Sequence, residues 1–162
     1  MVREVERKDA KAITDIYNYY IENTIITFEE EVITADEINI RIKKVLDSGL
    51  PWLVAVDNDE VVGYAYASKW KERYSYRFAA ETTIYLLPSA KEKGYGSKLY
   101  RTLFEKLAMT NIHIALGCIS LPNDASIKLH EKFGMKKVAH FNEVGYKFDK
   151  WIDVGYWQKV FK

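Results

Sequence analysis

The chain has 162 residues, 48% of them hydrophobic and 29% charged, with eight glycines and three prolines. That profile excludes a disordered or low-complexity chain and predicts one domain over residues 1–162, burying roughly 70% of its unfolded surface. The charge sum of 24 basic minus 23 acidic residues is +1, which excludes a wholesale nucleic-acid binder or a polybasic membrane coat.

The opening MVREVERKDAKA is charged where a secretory signal would be apolar. No apolar run approaches the roughly 20 residues of a membrane span, so a cytoplasmic protein with no membrane or nucleic-acid partner is expected. From about position 9 to 22, Ala10, Ile13, Ile16, Tyr17, Tyr20 and Ile21 form one helical stripe. A second helix opens at Thr34, with Glu37 three residues on in a capping-box pattern. Ile38, Ile42, Val45 and Leu46 make its buried face, and Ser48-Gly49 ends it.

WLVAV from Trp52, the polar turn 57–60 and VVGYAYA from Val61 predict a hairpin, and Ala79 to Leu87 predicts a third strand. After KEKGYG comes an amphipathic helix with Leu99, Leu103 and Leu107 in one row and Tyr100, Phe104 and Ala108 in the next. A buried strand from Ile112 follows, then a helix capped by Asn123 and closed by Gly134, then two antiparallel strands. The order is β-α-α-β-β-β-α-β-α-β-β, an α/β fold with one βαβ crossover at the glycine loop.

Gly94-x-Gly96 between a strand and a helix is the most informative local feature. Glycines let a backbone approach a ligand, and helix-start N–H groups attract phosphate oxygens; Lys91, Lys93 and Lys98 add positive charge. A plain strand-to-helix turn with solvated lysines reads equally well. Neither a Walker loop nor the dinucleotide fingerprint fits, the latter needing glycine where Leu99 stands.

Alternation puts Glu81, Thr83 and Tyr85 on one strand face and Ala80, Thr82, Ile84 and Leu86 on the other. If that first face meets a pocket, burial raises the pKa of Glu81 and suits it to base work near neutral pH; otherwise it is a solvated glutamate. KWKERYSYR interleaves Lys69, Lys71, Arg73 and Arg77 with Trp70, Tyr74 and Tyr76, a pocket for an acidic group or an exposed loop. His130 shares an inward face with Ser126, Leu129 and Phe133 and reads as a core histidine. Cys118, the sole cysteine, reads as a small core residue. It cannot form a cysteine metal site alone, and His113, His130 and His140 lack ligand spacing, so no metal is expected.

Together these segments resemble the GNAT superfamily of acetyl-CoA-dependent N-acetyltransferases, whose loop reads R/Q-x-x-G-x-G/A and is matched by Lys91-Glu92-Lys93-Gly94-Tyr95-Gly96. Within it the chain resembles the phosphinothricin acetyltransferase group from about Ile13 to Trp157, through IYNYYIENTIITFE, PWLVAVDNDEVVGYAYASKWKERYSYR, AAETTIYL, LPNDASIKLHEKFGM and VGYKFDKWIDVGYWQ. The resemblance implies a GNAT fold, a mixed central sheet flanked by helices, and acetyl transfer from acetyl-CoA to a small amino-acid-like acceptor. It places the carboxylate base on Glu81 and substrate contacts on Phe28, Lys71, Arg73, Tyr76, Thr83 and Tyr85. Coenzyme contacts fall on Ile84, Leu86, Lys91, Glu92, Lys93, Gly94, Tyr95, Gly96, Ser97 and Asn123. His130 takes the position of a residue that protonates the leaving thiolate, against the core reading above. Lys91 replaces the usual arginine or glutamine, and Met135 replaces an aromatic residue after the helix-ending glycine. The resemblance also allows a homodimer, although the aromatic C-terminus reads equally as core.

Overall fold

The structure, a computed structural model, describes residues 1–162. Its elements are β1 (Val2–Glu4), α1 (Ala10–Asn23), α2 (Ala35–Asp47), β2 (Trp52–Asp57), β3 (Glu60–Lys69), β4 (Ala79–Leu86), α3 (Tyr95–Ala108), β5 (Ile114–Ser120), α4 (Asp124–Lys132), β6 (Lys136–Lys147) and β7 (Lys150–Val160). This is the order expected from the residue pattern.

Local chemistry accounts for the boundaries. The hydroxyl of Thr34 accepts the Glu37 N–H at 3.2 Å and caps α2, but the Glu37 carboxylate turns away to Arg41 Nε at 3.0 Å, so only half of the capping box forms. Asn58 and Asp59 both take positive φ in the turn between β2 and β3, the conformation a two-residue hairpin needs to match strand twist. Two residues assigned to buried helix rows are exposed, Leu46 and Ala108. At about 100° per residue, Leu46 falls about 80° round the helix from Ile38, and Ala108 about 180° from Leu99. Rows spaced by four drift, and each residue lies within two positions of its helix end.

All seven strands join one sheet in the order β1-β2-β3-β4-β5-β7-β6. Every neighbouring pair is antiparallel except β4 with β5, which run parallel and are linked through α3. Tyr17 and Tyr20 of α1 pack on Tyr85, so α1 covers the sheet face bearing Tyr85. α3 lies on the opposite face, where Gly96 stands against Ile84 and Leu86. The core joins both layers, with Ile13, Ile16 and Ile38 on one side and Leu99, Leu103 and Leu107 on the other.

One irregularity positions the site. β4 pairs with β5 only from Ala79↔Ile114 to Thr82↔Gly117. Beyond that point β4 continues to Leu86 and β5 to Ser120 without pairing to each other. The sheet is parted there, and Thr83, Ile84 and Tyr85 present a backbone edge without a strand partner on that side.

Candidate active site

A cavity of about 210 Å³ occupies the parting. β4 contributes Glu81 through Tyr85, and β5 contributes Cys118, Ile119 and Ser120. The connection after α1 adds Ile26, Thr27 and Phe28; Tyr100 enters from α3, and Asn123, Ser126 and His130 enter from α4 and its cap.

Glu81 sits mid-strand, in register with Ser68 on one side and Leu116 on the other. Burial pushes its carboxyl pKa above the ordinary value, and the Lys71 ammonium offsets part of that shift. The carboxylate therefore holds a proton more readily than a solvated glutamate, the direction that suits a base near neutral pH.

His130 is 3% exposed. Its Nδ1 lies 2.6 Å from the Ser126 carbonyl oxygen, which can only accept, so Nδ1 carries the proton. In the neutral ring Nε2 then accepts from the Tyr100 hydroxyl at 3.0 Å, a shorter contact than that hydroxyl's 3.3 Å approach to the Thr82 hydroxyl oxygen. Burial lowers the His130 pKa, with the Ser126 bond opposing, so the neutral form is favoured. The expected gift of a proton straight from this ring meets an obstacle: the neutral imidazole has no N–H left for a ligand. The ring also rests on Gly117, where a Cβ would come within 2.5 Å of it.

Cys118 departs from its expected place in the core. It is exposed and lines the cavity, because β5 leaves β4 immediately after Gly117. Desolvation raises its thiol pKa, which keeps it protonated and a poor nucleophile.

The glycine loop reaches the parting from the α3 side. Gly94 has φ of +84°, a left-handed conformation that suits glycine, and α3 begins at the next residue with no side chain capping it. The N–H groups of its first turn therefore face outward, as a diphosphate would require. Lys91 lies over the Tyr20 ring, Glu92 takes positive φ, Lys93 is exposed, and the Ser97 hydroxyl accepts from Lys132 at 2.8 Å. Gly96 contacts Ile84, Leu86 and Leu129, joining the loop to the cavity wall. Asn123 caps α4 by accepting the Ser126 N–H at 3.2 Å, which leaves its amide N–H₂ unspent.

Phe28, Thr83, Ile84, Tyr85, Glu81, Asn123 and His130 thus share one cavity. Lys71, Arg73 and Tyr76 lie on the exposed connection between β3 and β4 and do not line it. Lys71 still bears on Glu81 through its charge, whereas Tyr76 packs edge-on against Trp70. Tyr100, Thr27 and Ser120 escaped the sequence reading: Tyr100 sits in a core row, and only the parting turns it toward a cavity.

The chain matches the family model described as an acetyltransferase (GNAT) domain over residues 2–155. It is 37% identical to a phosphinothricin N-acetyltransferase of Streptomyces coelicolor, covering 98% of this chain and 94% of that one. It is 30% identical to an L-methionine sulfoximine/L-methionine sulfone acetyltransferase of Salmonella typhimurium, covering 97% and 92%. A GNAT superfamily phosphinothricin acetyltransferase from Sinorhizobium meliloti, solved in complex with acetyl-CoA, superimposes with a TM-score of 0.96 at 31% identity, covering 99% and 87%. The chain belongs to the GNAT acetyltransferase family. It is an N-acetyltransferase that uses acetyl-CoA as cosubstrate, and the uncapped start of α3 and the unpaired edge of β4 fit that molecule's diphosphate and amide-bearing arm.

Proposed function

We propose that the protein acetylates the amino group of a small amino-acid analogue such as phosphinothricin, methionine sulfoximine or methionine sulfone. One observation carries the reading: the Glu81 carboxylate, its pKa raised by burial, stands in a cavity at the parting of β4 and β5. Bound acetyl-CoA supplies an acetyl thioester open to attack by an uncharged amine. An acceptor amine arrives protonated at neutral pH, so Glu81 takes one proton from it, directly or through a water. The backbone edge of Thr83, Ile84 and Tyr85 offers donors to an oxygen gaining charge.

In this reading the diphosphate lies on Lys91, Glu92, Lys93, Gly94, Tyr95, Gly96 and Ser97, and the arm leading from it runs past Ile84, Leu86 and Asn123. Phe28, Thr83 and Tyr85 shape the acceptor's surroundings, while Lys71 and Arg73, outside the cavity, attract its acidic end. His130 orients Tyr100 rather than giving up a proton itself. A free thiol near pKa 8.5 is already a fair leaving group at neutral pH, and solvent can supply its proton.

The whole chain is read as one domain working in the cytoplasm, from which acetyl-CoA is drawn. A homodimer is supported by the exposed apolar side chains of β6 and β7, among them Phe141, Val144, Tyr146 and Trp151, and by Phe148 between the strands. Sedimentation at micromolar concentration tests it, a monomer counting against it.

The decisive assay is coenzyme thiol release from acetyl-CoA with free amino acids, the three analogues, a polyamine and a peptide. Release with the analogues supports the proposal. Release with only the peptide or polyamine moves the acceptor class, and release with none despite coenzyme binding overturns the small-acceptor reading.

A further inference from the structure

The eleven residues between α1 and α2, from Thr24 to Thr34, have no helix or strand, yet Ile26, Thr27 and Phe28 among them form one wall of the cavity that holds Glu81. A connection of this length moves unless something holds it. Asn18 of α1 holds its far end through both backbone groups of Ile33 and Arg41 of α2 grips Glu29 with two bonds, while the stretch from Thr24 to Phe28 is held by two residues near the tip of the β6–β7 hairpin, over a hundred positions away in sequence.

Lys147 is 2% exposed, and its ammonium donates to the carbonyl oxygens of Thr24 and Thr27, each at 2.8 Å. A buried cation stripped of these carbonyls would be left without hydrogen-bond acceptors, so the hairpin and the connection hold each other in place. Gly145 is buried against the Phe28 ring, where an added Cβ would lie 2.4 Å from the ring's Cζ. Between these two contacts, the Thr27 hydroxyl sits 2.8 Å from the Tyr17 hydroxyl and accepts the Glu29 N–H at 3.3 Å.

We propose that Gly145 and Lys147 are positioning residues for the acceptor: the hairpin tip sets where Thr27 and Phe28 stand, and so which acceptor side chains the cavity takes. This rests on the reading of the cavity as an acceptor site. It differs from a purely structural stitch, which would affect unfolding but not substrate preference.

Gly145→Ala presses one methyl against a partly exposed ring that can yield, so the fold persists. Lys147→Met keeps the length and the stem and removes the donors. Both are expected to raise the acceptor KM roughly tenfold, the effect of about one methyl-sized misfit in a pocket, with the KM for acetyl-CoA unchanged. In a Phe28→Ala background, Gly145→Ala is expected to lose its effect, because the ring through which it acts is gone. An unchanged acceptor KM in Gly145→Ala overturns the proposal, and so does an equal effect with and without the Phe28 ring.

Amide hydrogen exchange over residues 24–29 needs no acceptor and is expected to quicken in Lys147→Met. If the wild type turns over none of the acceptors, the transfer reading falls, while faster exchange would still show the clamp. Unchanged exchange removes the clamp whatever the substrate. Should Lys147→Met fail to fold, the Gly145→Ala pair decides alone.

Discussion

The Tyr100 hydroxyl and His130 Nε2 face each other at 3.0 Å, both buried, beneath the floor of the cavity where β4 and β5 part. With Nδ1 committed to the Ser126 carbonyl, this pair fixes the imidazole as one neutral tautomer. His130→Phe leaves the Tyr100 hydroxyl only its longer bond, 3.3 Å to the Thr82 hydroxyl oxygen, and is expected to cost about 1–3 kcal/mol in urea unfolding, with kcat reduced less than tenfold. A larger fall in kcat at unchanged stability would make His130 a proton donor instead.

The same burial gives a pH signature. The folded His130 pKa is lowered, so the unfolded chain binds the proton more readily. Its contribution is fully present above the unfolded value near 6.5 and is lost as pH falls through the lower folded pKa. The wild type is therefore expected to lose stability below about pH 6.5 with a slope of at most about 1.4 kcal/mol per pH unit, and His130→Gln to lack that component. Thermal unfolding of both between pH 7 and 5 measures it.

Glu81→Gln is expected to lower kcat by about 10²–10⁴-fold while acetyl-CoA still binds, read by thiol release and calorimetry. Because the folded carboxyl pKa is raised, Glu81 weakens the fold as pH rises from its unfolded value through its folded one. Glu81→Gln should accordingly melt at a higher temperature than the wild type at pH 7–8. Equal turnover across the pH range would remove Glu81 from the base role.

Lys71 holds the Glu81 pKa below what burial alone would give. Lys71→Met is expected to move the acidic limb of the kcat profile to higher pH. Because Lys71 is exposed, raising the salt concentration should shift the wild-type profile the same way. A limb that stays put in both experiments would detach Lys71 from the carboxylate.

Gly117→Ala puts a methyl against the His130 ring, with contacts of 2.5 and 2.7 Å to relieve in a closely packed region. The expected cost is about 1–3 kcal/mol in denaturant unfolding, with some loss of turnover as Tyr100 and His130 are displaced. A neutral result would mean that the ring swings away freely.

The element order could be read from local pattern because the helices are amphipathic in their own period and carry end signals, as with the Ile13–Ile16–Tyr20 stripe of α1 and the Thr34 cap of α2, while β2 and β5 are short apolar runs buried on both faces. Glu81 and the Gly94 loop could be singled out because strand parity and glycine placement are short-range facts. The parting itself depends on how two strands 27 or more residues apart diverge after Thr82 and Gly117, which no local window contains. Local pattern therefore puts Cys118 in the core and gives Tyr100 only a packing role. Lys147 lies beyond pattern too, since a lysine near a hairpin tip ordinarily points to solvent.

Seen along its strands, the sheet is two antiparallel halves, β1 to β4 and β5-β7-β6, sutured by a short run of residue pairs between Ala79–Thr82 and Ile114–Gly117. Apart from the three-pair attachment of β1 at the edge, this four-pair seam is the shortest ladder in the sheet, and it borders the candidate active-site cavity. Any breathing of one half of the sheet against the other would be felt first at that rim, where the fewest ladder pairs between interior strands resist it.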